Sequence, residues 1–132
     1  MMARAMSVQR FGLSLLLVAL ATLALASRAR ADGDAVRGKD KFVDCAACHS
    51  VDRGTNGVGP SLAGVVGRKA GAVDEYRYSP AMARSGITWT PAALDQYIAD
   101  PQMKVPGNRM PYAGMPNAAD RADVIAYLQS LK

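Results

Sequence analysis

Cys45-Ala46-Ala47-Cys48-His49 is the stretch on which the reading of this chain turns. Two thiols three residues apart at a helix end can both reach the vinyl edge of one porphyrin. The next residue then projects its imidazole toward the iron. Cys-x-x-Cys-His is the attachment signature of a c-type haem. One covalent haem is therefore expected through Cys45 and Cys48, with His49 on the metal. Three plainer readings compete. A disulfide is permitted in an exported protein, but so short a loop is strained and leaves His49 without a purpose. A redox dithiol would follow a strand in a βαβ unit, which this sequence lacks. A structural zinc needs four ligands, and the chain offers two cysteines and a single histidine.

Because His49 is the sole histidine, a second one cannot take the opposite position on the iron. Outside the leader the methionines are Met82, Met103, Met110 and Met115. Methionine is ordinarily a flexible core filler. Met110 stands out because Pro106-Gly107-Asn108-Arg109 makes a turn-rich, non-helical lead-in that can lie against a haem face. Met115-Pro116, also on a loop, is its rival.

The first 31 residues read as a separate segment. Met1 to Arg10 carries Arg4 and Arg10 and no acid, Phe11 to Ala26 is almost unbroken apolar sequence, and Ala29-Arg30-Ala31 supplies small residues. That order is a secretory signal peptide, with cleavage expected after Ala31 and Ala29 as the nearest alternative. Sixteen apolar residues rise only about 24 Å as a helix, short of the roughly 30 Å hydrocarbon core, so an uncleaved anchor is the weaker reading. The domain then spans residues 32–132, in the periplasm. The whole chain carries +5, with 16 Lys and Arg against 11 Asp and Glu. Arg4, Arg10, Arg28 and Arg30 leave with the leader, which reduces 16 cations to 12 against the same 11 acids, a net of +1. The basic character belongs to the export segment, and a nucleic-acid partner, which needs a concentrated basic surface, is excluded.

The remainder is about 100 residues long, rich in glycine, and buries a modest fraction of its surface on folding. A large apolar prosthetic group would supply much of the core. Four helices are expected and no strand, so the class is all-α. The first runs from Asp34 to about Asp44 and leads into the cysteines. Ser79-Pro80 and Thr90-Pro91 each pair an N-cap with proline at the first helical position. Gly86 closes the helix that Ser79 opens, and Pro101 stops the one that Thr90 opens. Asn117 caps the last, where Val124, Tyr127, Leu128 and Leu131 recur at i, i+3, i+4 and i+7. Six glycines between Gly54 and Gly71 read as loop.

Beyond these local signals the sequence resembles the class I cytochromes c, in particular the soluble bacterial carriers close to the mitochondrial type. The matching stretches are Cys45 to His49, Gly59-Pro60-Ser61-Leu62, Gly67-Arg68-Lys69, Tyr76-Arg77-Tyr78-Ser79-Pro80-Ala81, Gly86-Ile87-Thr88-Trp89, Pro106 to Met110, and Arg121 to Leu128. They stand in family order and cover nearly everything from Gly38 to Leu131.

The resemblance implies three or four helices and loops wrapped around one covalent haem, with His49 and Met110 as axial ligands. It implies that the Pro60 carbonyl accepts the imidazole proton, and that Tyr78 and Trp89 donate to a buried haem propionate with Arg68 nearby. It also implies that Tyr97 hydrogen-bonds the methionine sulfur, and that Gly38, Phe42 and Tyr127 form the crossing of the first and last helices. Met82, Asn108 and Tyr112 depart from what relatives often carry around the haem. The docking lysines of the mitochondrial type are thinned to Lys39, Lys41 and Lys104, with Arg109.

The function implied is one-electron carriage rather than catalysis. A monomer would shuttle between a quinol-oxidising cytochrome complex and a terminal oxidase, reaction centre or reductase, docking transiently at the haem edge and without membrane insertion. A small haem peroxidase or gas-binding sensor with an open iron is the alternative. It would need a polar acid–base group on the distal side, and no second histidine is available for that.

Overall fold

The computed structural model describes residues 32–131, and those from Gly33 onward form one compact unit. The expected leader, residues 1–31, lies outside the described residues. Six helices are present among them: α1 Ala35–Lys41, α2 Val43–Ala46, α3 Pro80–Ala83, α4 Pro91–Ala99, α5 Pro101–Lys104 and α6 Ala118–Ser130. No helix among the described residues is long and apolar enough to cross a membrane.

Most of the helices start where a short polar side chain satisfies amides that have no partner inside the helix. Asp34 Oδ1 accepts from the amides of Val36 and Arg37, and Asn117 Oδ1 from those of Ala119 and Asp120. Ser79 and Thr90 each accept from one amide three residues on, and each precedes a proline at the first helical position. Two details differ from the expected four helices. The first is divided at Phe42, whose amide is shared between the carbonyls of Gly38 and Lys39, so the chain tightens by a turn before the cysteines. The second concerns Pro101. It does stop α4, but it also opens α5, because Asp100 is extended ahead of the proline and its carboxylate caps the Met103 amide at 2.9 Å.

The two chain ends of the domain meet where α1 crosses α6. Gly38 makes this possible, since a Cβ there would stand 1.9 Å from the Asp123 carbonyl oxygen. One turn on, the rings of Phe42 and Tyr127 meet edge to face at 5.2 Å. Asp123 is buried and takes bonds from the Asp34 amide and from Arg37 Nε and Nη2. On its inner face α6 buries Val124, Ile125 and Leu128. Helix α4 lies against it, tied at the surface by Arg121 to Asp95 at 2.7 Å. The glycine-rich segment is loop with one isolated antiparallel bridge between Lys69 and Thr88. Around that bridge Trp89 donates to the Arg68 carbonyl and accepts from the Gly67 amide, which holds Arg68 and Trp89 side by side. Among the described residues there is no strand, and the class is all-α.

Candidate functional site

Helix α2 ends at Ala46, and the next residues continue its curvature. The amides of Cys48 and His49 both point back to the Cys45 carbonyl. This places two free, half-buried thiols and one imidazole on the wall of a single cavity. Burial, then the neighbouring Asp44, pushes the Cys45 thiol up to about 11. At neutral pH it therefore remains protonated, the opposite of the activated thiolate that a redox dithiol requires.

The imidazole has one defined orientation. His49 Nδ1 lies 2.7 Å from the Pro60 carbonyl oxygen. A carbonyl only accepts, so the proton resides on Nδ1 and the lone pair of Nε2 is left to a metal. The backbone of Gly59 lies flat against the ring: a Cβ there would stand 2.3 Å from His49 Cε1. The Gly59 amide donates in turn to the Cys48 carbonyl at 2.8 Å, closing the loop over the histidine.

The cavity measures about 240 Å³. Protein interiors rarely contain voids beyond the size of one water, about 30 Å³. The cavity wall is largely apolar, with Leu94, Ile98, Val124 and Leu128 among its residues. All nine site residues expected from the sequence reach it: Cys45, Cys48, His49, Pro60, Arg68, Tyr78, Trp89, Tyr97 and Met110. Met115 does not. Its amide donates to the Ile98 carbonyl and its own carbonyl accepts from Arg121, which fixes that segment outside the wall. Met103 is 79% exposed, and Met82 is a buried part of the wall.

Polar side chains interrupt this apolar wall at several points. Arg68 donates to the carbonyls of Ala63 at 2.9 Å and Ser61 at 2.8 Å, and no carboxylate pairs with it among the described residues. Burial lowers its pKa, so this guanidinium would gain from an anion beside it. The Tyr78 hydroxyl accepts from the Val73 amide at 3.3 Å, and the Trp89 ring lies 5.0 Å from that of Tyr97. The Tyr97 hydroxyl, raised to about 12 chiefly by burial, donates to Asn108 Oδ1 at 3.3 Å and not to the methionine sulfur that the resemblance implies, because the buried amide oxygen is the stronger acceptor within reach. Two thioether-forming thiols, a preset imidazole, a methionine on the same wall and a half-buried cation fit a porphyrin that carries carboxylates. Asn108, read from the sequence only as a departure, is a buried hub here. Tyr76, which donates to the Val58 carbonyl at 2.8 Å, braces the rim. The Tyr76 contact carries no local sequence signal, because its partner is brought up by the tertiary fold, whereas the bond from the Met110 amide to Asn108 is a local asparagine turn.

Against known families, the cytochrome c model matches residues 35–132. This chain belongs to the cytochrome c family. It is 58% identical over 90 residues to cytochrome c2 iso-2 of Magnetospirillum fulvum, covering 68% of this chain and 94% of that protein. Cytochrome c2 of Rhodopila globiformis is 52% identical over 101 residues, covering 76% and 95%. In three dimensions the chain resembles cytochrome cH from Methylobacterium extorquens, with a TM-score of 0.71, 47% identity and coverage of 74% of this chain and 99% of that one. The all-α fold is that of the class I cytochromes c. This cytochrome c is an electron carrier and not an enzyme, which removes the peroxidase reading, and it holds one covalent haem c through Cys45 and Cys48.

Proposed function

We propose that this cytochrome c holds its haem iron between His49 and Met110 and works as an exported one-electron shuttle. The observation that carries the reading is the His49–Pro60 bond at 2.7 Å on a cavity wall that also bears Met110. The haem, when bound, supplies the ferrous–ferric couple. The chain does the rest. The Pro60 carbonyl fixes the tautomer and raises the basicity of His49. Soft thioether sulfur from Met110 favours the ferrous state, and the apolar wall disfavours the extra charge of the ferric one. Both raise the potential above that of a bis-histidine centre. Arg68, Tyr78 and Trp89 would hold the propionates, and Tyr97, bonded to Asn108, would act from the methionine side.

Residues 1–31 form the cleaved export signal, with the cut after Ala31, and residues 32–132 work in the periplasm. The carrier is a monomer that accepts electrons from a quinol-oxidising cytochrome complex. It passes them to a terminal oxidase, reaction centre or reductase, docking transiently at the haem edge near Cys48 and Met110. Its docking charge is modest. Residues 32–132 carry a net charge of only +1, Lys41 is paired with Asp120, and Val58 at the rim is 75% exposed. Apolar contact rather than long-range attraction then dominates encounter.

A redox titration combined with carbon monoxide binding tests the ligation. A positive midpoint and slow uptake of carbon monoxide are expected. A strongly negative midpoint, or immediate uptake, would overturn it.

A further inference from the structure

Asn108 stands two residues before Met110 and is only 8% exposed. Each hydrogen-bonding position of its side-chain amide is filled. Nδ2 donates to the carbonyls of Pro101 at 2.8 Å and Val105 at 2.9 Å. Oδ1 accepts from the Met110 amide at 2.8 Å and from the Tyr97 hydroxyl at 3.3 Å. The backbone of Asn108 is held as well, its amide on the Val105 carbonyl and its carbonyl on the Gln102 side chain, both at 3.1 Å. The orientation of the amide is forced. Two carbonyls can only accept and the Met110 N–H can only donate, so exchanging oxygen and nitrogen would break all three bonds.

An asparagine whose oxygen takes the amide two residues on is an ordinary turn device. Such a turn needs neither burial nor partners in other elements. Here one side chain joins α4 through Tyr97, both ends of α5 through Pro101 and Val105, and the segment bearing Met110. The proton of the Tyr97 hydroxyl is directed at this hub, so Tyr97 acts on the methionine through its backbone anchor.

We infer that Asn108 is the positioning residue for Met110, setting how often the thioether sulfur leaves the iron. This rests on the reading of His49 and Met110 as the axial pair. The physical basis is that a buried amide with four partners cannot be replaced without leaving several of them unsatisfied. The Met110 amide then loses its side-chain link to α4 and α5, only the backbone bonds of Asn108 to Val105 and Gln102 remaining, while the covalent bonds of Cys45 and Cys48 keep the haem attached.

Imidazole titration of the ferric holoprotein reads this directly. Added imidazole binds only when the sulfur is off, so its apparent affinity scales with the sulfur-off fraction. Asn108→Leu keeps the volume and removes all four side-chain bonds; it is expected to bind imidazole about tenfold tighter or more than wild type. Asn108→Thr, which retains one acceptor and one donor, is expected to bind about threefold tighter. A purely structural role would lower the melting temperature and leave both affinities at the wild-type value, and that result overturns the inference. If Asn108→Leu yields no holoprotein, Asn108→Thr decides alone by the same criterion. The wild-type spectrum separates the two levels. A sulfur–iron charge-transfer band with unchanged affinities in the variants sinks the role of Asn108 only, whereas a wild type without that band overturns the axial pair and the inference together.

Discussion

A single backbone position decides how the imidazole is presented. Gly59 has no side chain because the His49 ring occupies the space a Cβ would need, at 2.3 Å. Gly59→Ala is therefore expected to push the ring off the Pro60 carbonyl. Holoprotein stability should fall by about 1–3 kcal/mol, the usual cost of overpacking, with an altered visible spectrum. Urea titration followed in the Soret band checks both; wild-type values in both would contradict the contact. At this scale the sequence was informative where chemistry is local. Cys45, Cys48 and His49 announce themselves by spacing, and Met110 by the turn before it. The bond from the Met110 amide to Asn108 is a local turn, but the bonds of Asn108 to Tyr97 and Pro101 span eleven and seven residues and depend on how α4 and α5 are set. No spacing rule reveals them.

Among the elements, the crossing of α1 and α6 is the junction that holds the ends of the domain together. Gly38→Ala would drive a methyl group into the Asp123 carbonyl, at 1.9 Å without movement. The helices must then separate, and a loss of about 3 kcal/mol or more is expected, at the upper end of overpacking costs. Chemical denaturation measures it, and an unchanged midpoint would show that the helices can part freely. The same junction carries a pH dependence. The Arg37 guanidinium and the Asp34 amide hold the Asp123 carboxyl below its usual range. A carboxyl whose folded pKa is depressed adds stability above its unfolded value, near 3.9, and loses it as the pH falls through the folded one. Melting temperature should therefore decline below about pH 4, and the decline should be shallower in Asp123→Asn. Equal slopes would contradict the ion pair. Helix starts were well marked in the sequence, since Asp34, Ser79, Thr90 and Asn117 all act as caps. The break at Phe42 and the opening of α5 were not. One is a slight tightening of helical backbone, and the other uses a proline that also ends the helix before it.

For the whole molecule, the prosthetic group is a large fraction of the core. A cleft of about 240 Å³ with a largely apolar wall leaves that wall in contact with water unless an apolar group covers it. The chain freed of haem, or a Cys45→Ala, Cys48→Ala variant that cannot attach it, is expected to lose its cooperative thermal transition while retaining part of its helix signal. A sharp transition near that of the holoprotein would contradict this. Net charge near zero in residues 32–132 also bears on how the carrier meets its partners. Its electron-transfer rate should change little between low and moderate ionic strength, and a steep fall on adding salt would mean that steering by charge had been underestimated.

Ferric spectra of the holoprotein and of Met110→Ala, recorded side by side at neutral pH, reach the ligation itself. The wild type should display the weak sulfur–iron charge-transfer absorption at the red end of the visible range, and the variant should lack it while its haem stays attached. Absence of that absorption in the wild type, or its survival in Met110→Ala, would mean that a different group faces His49 across the iron.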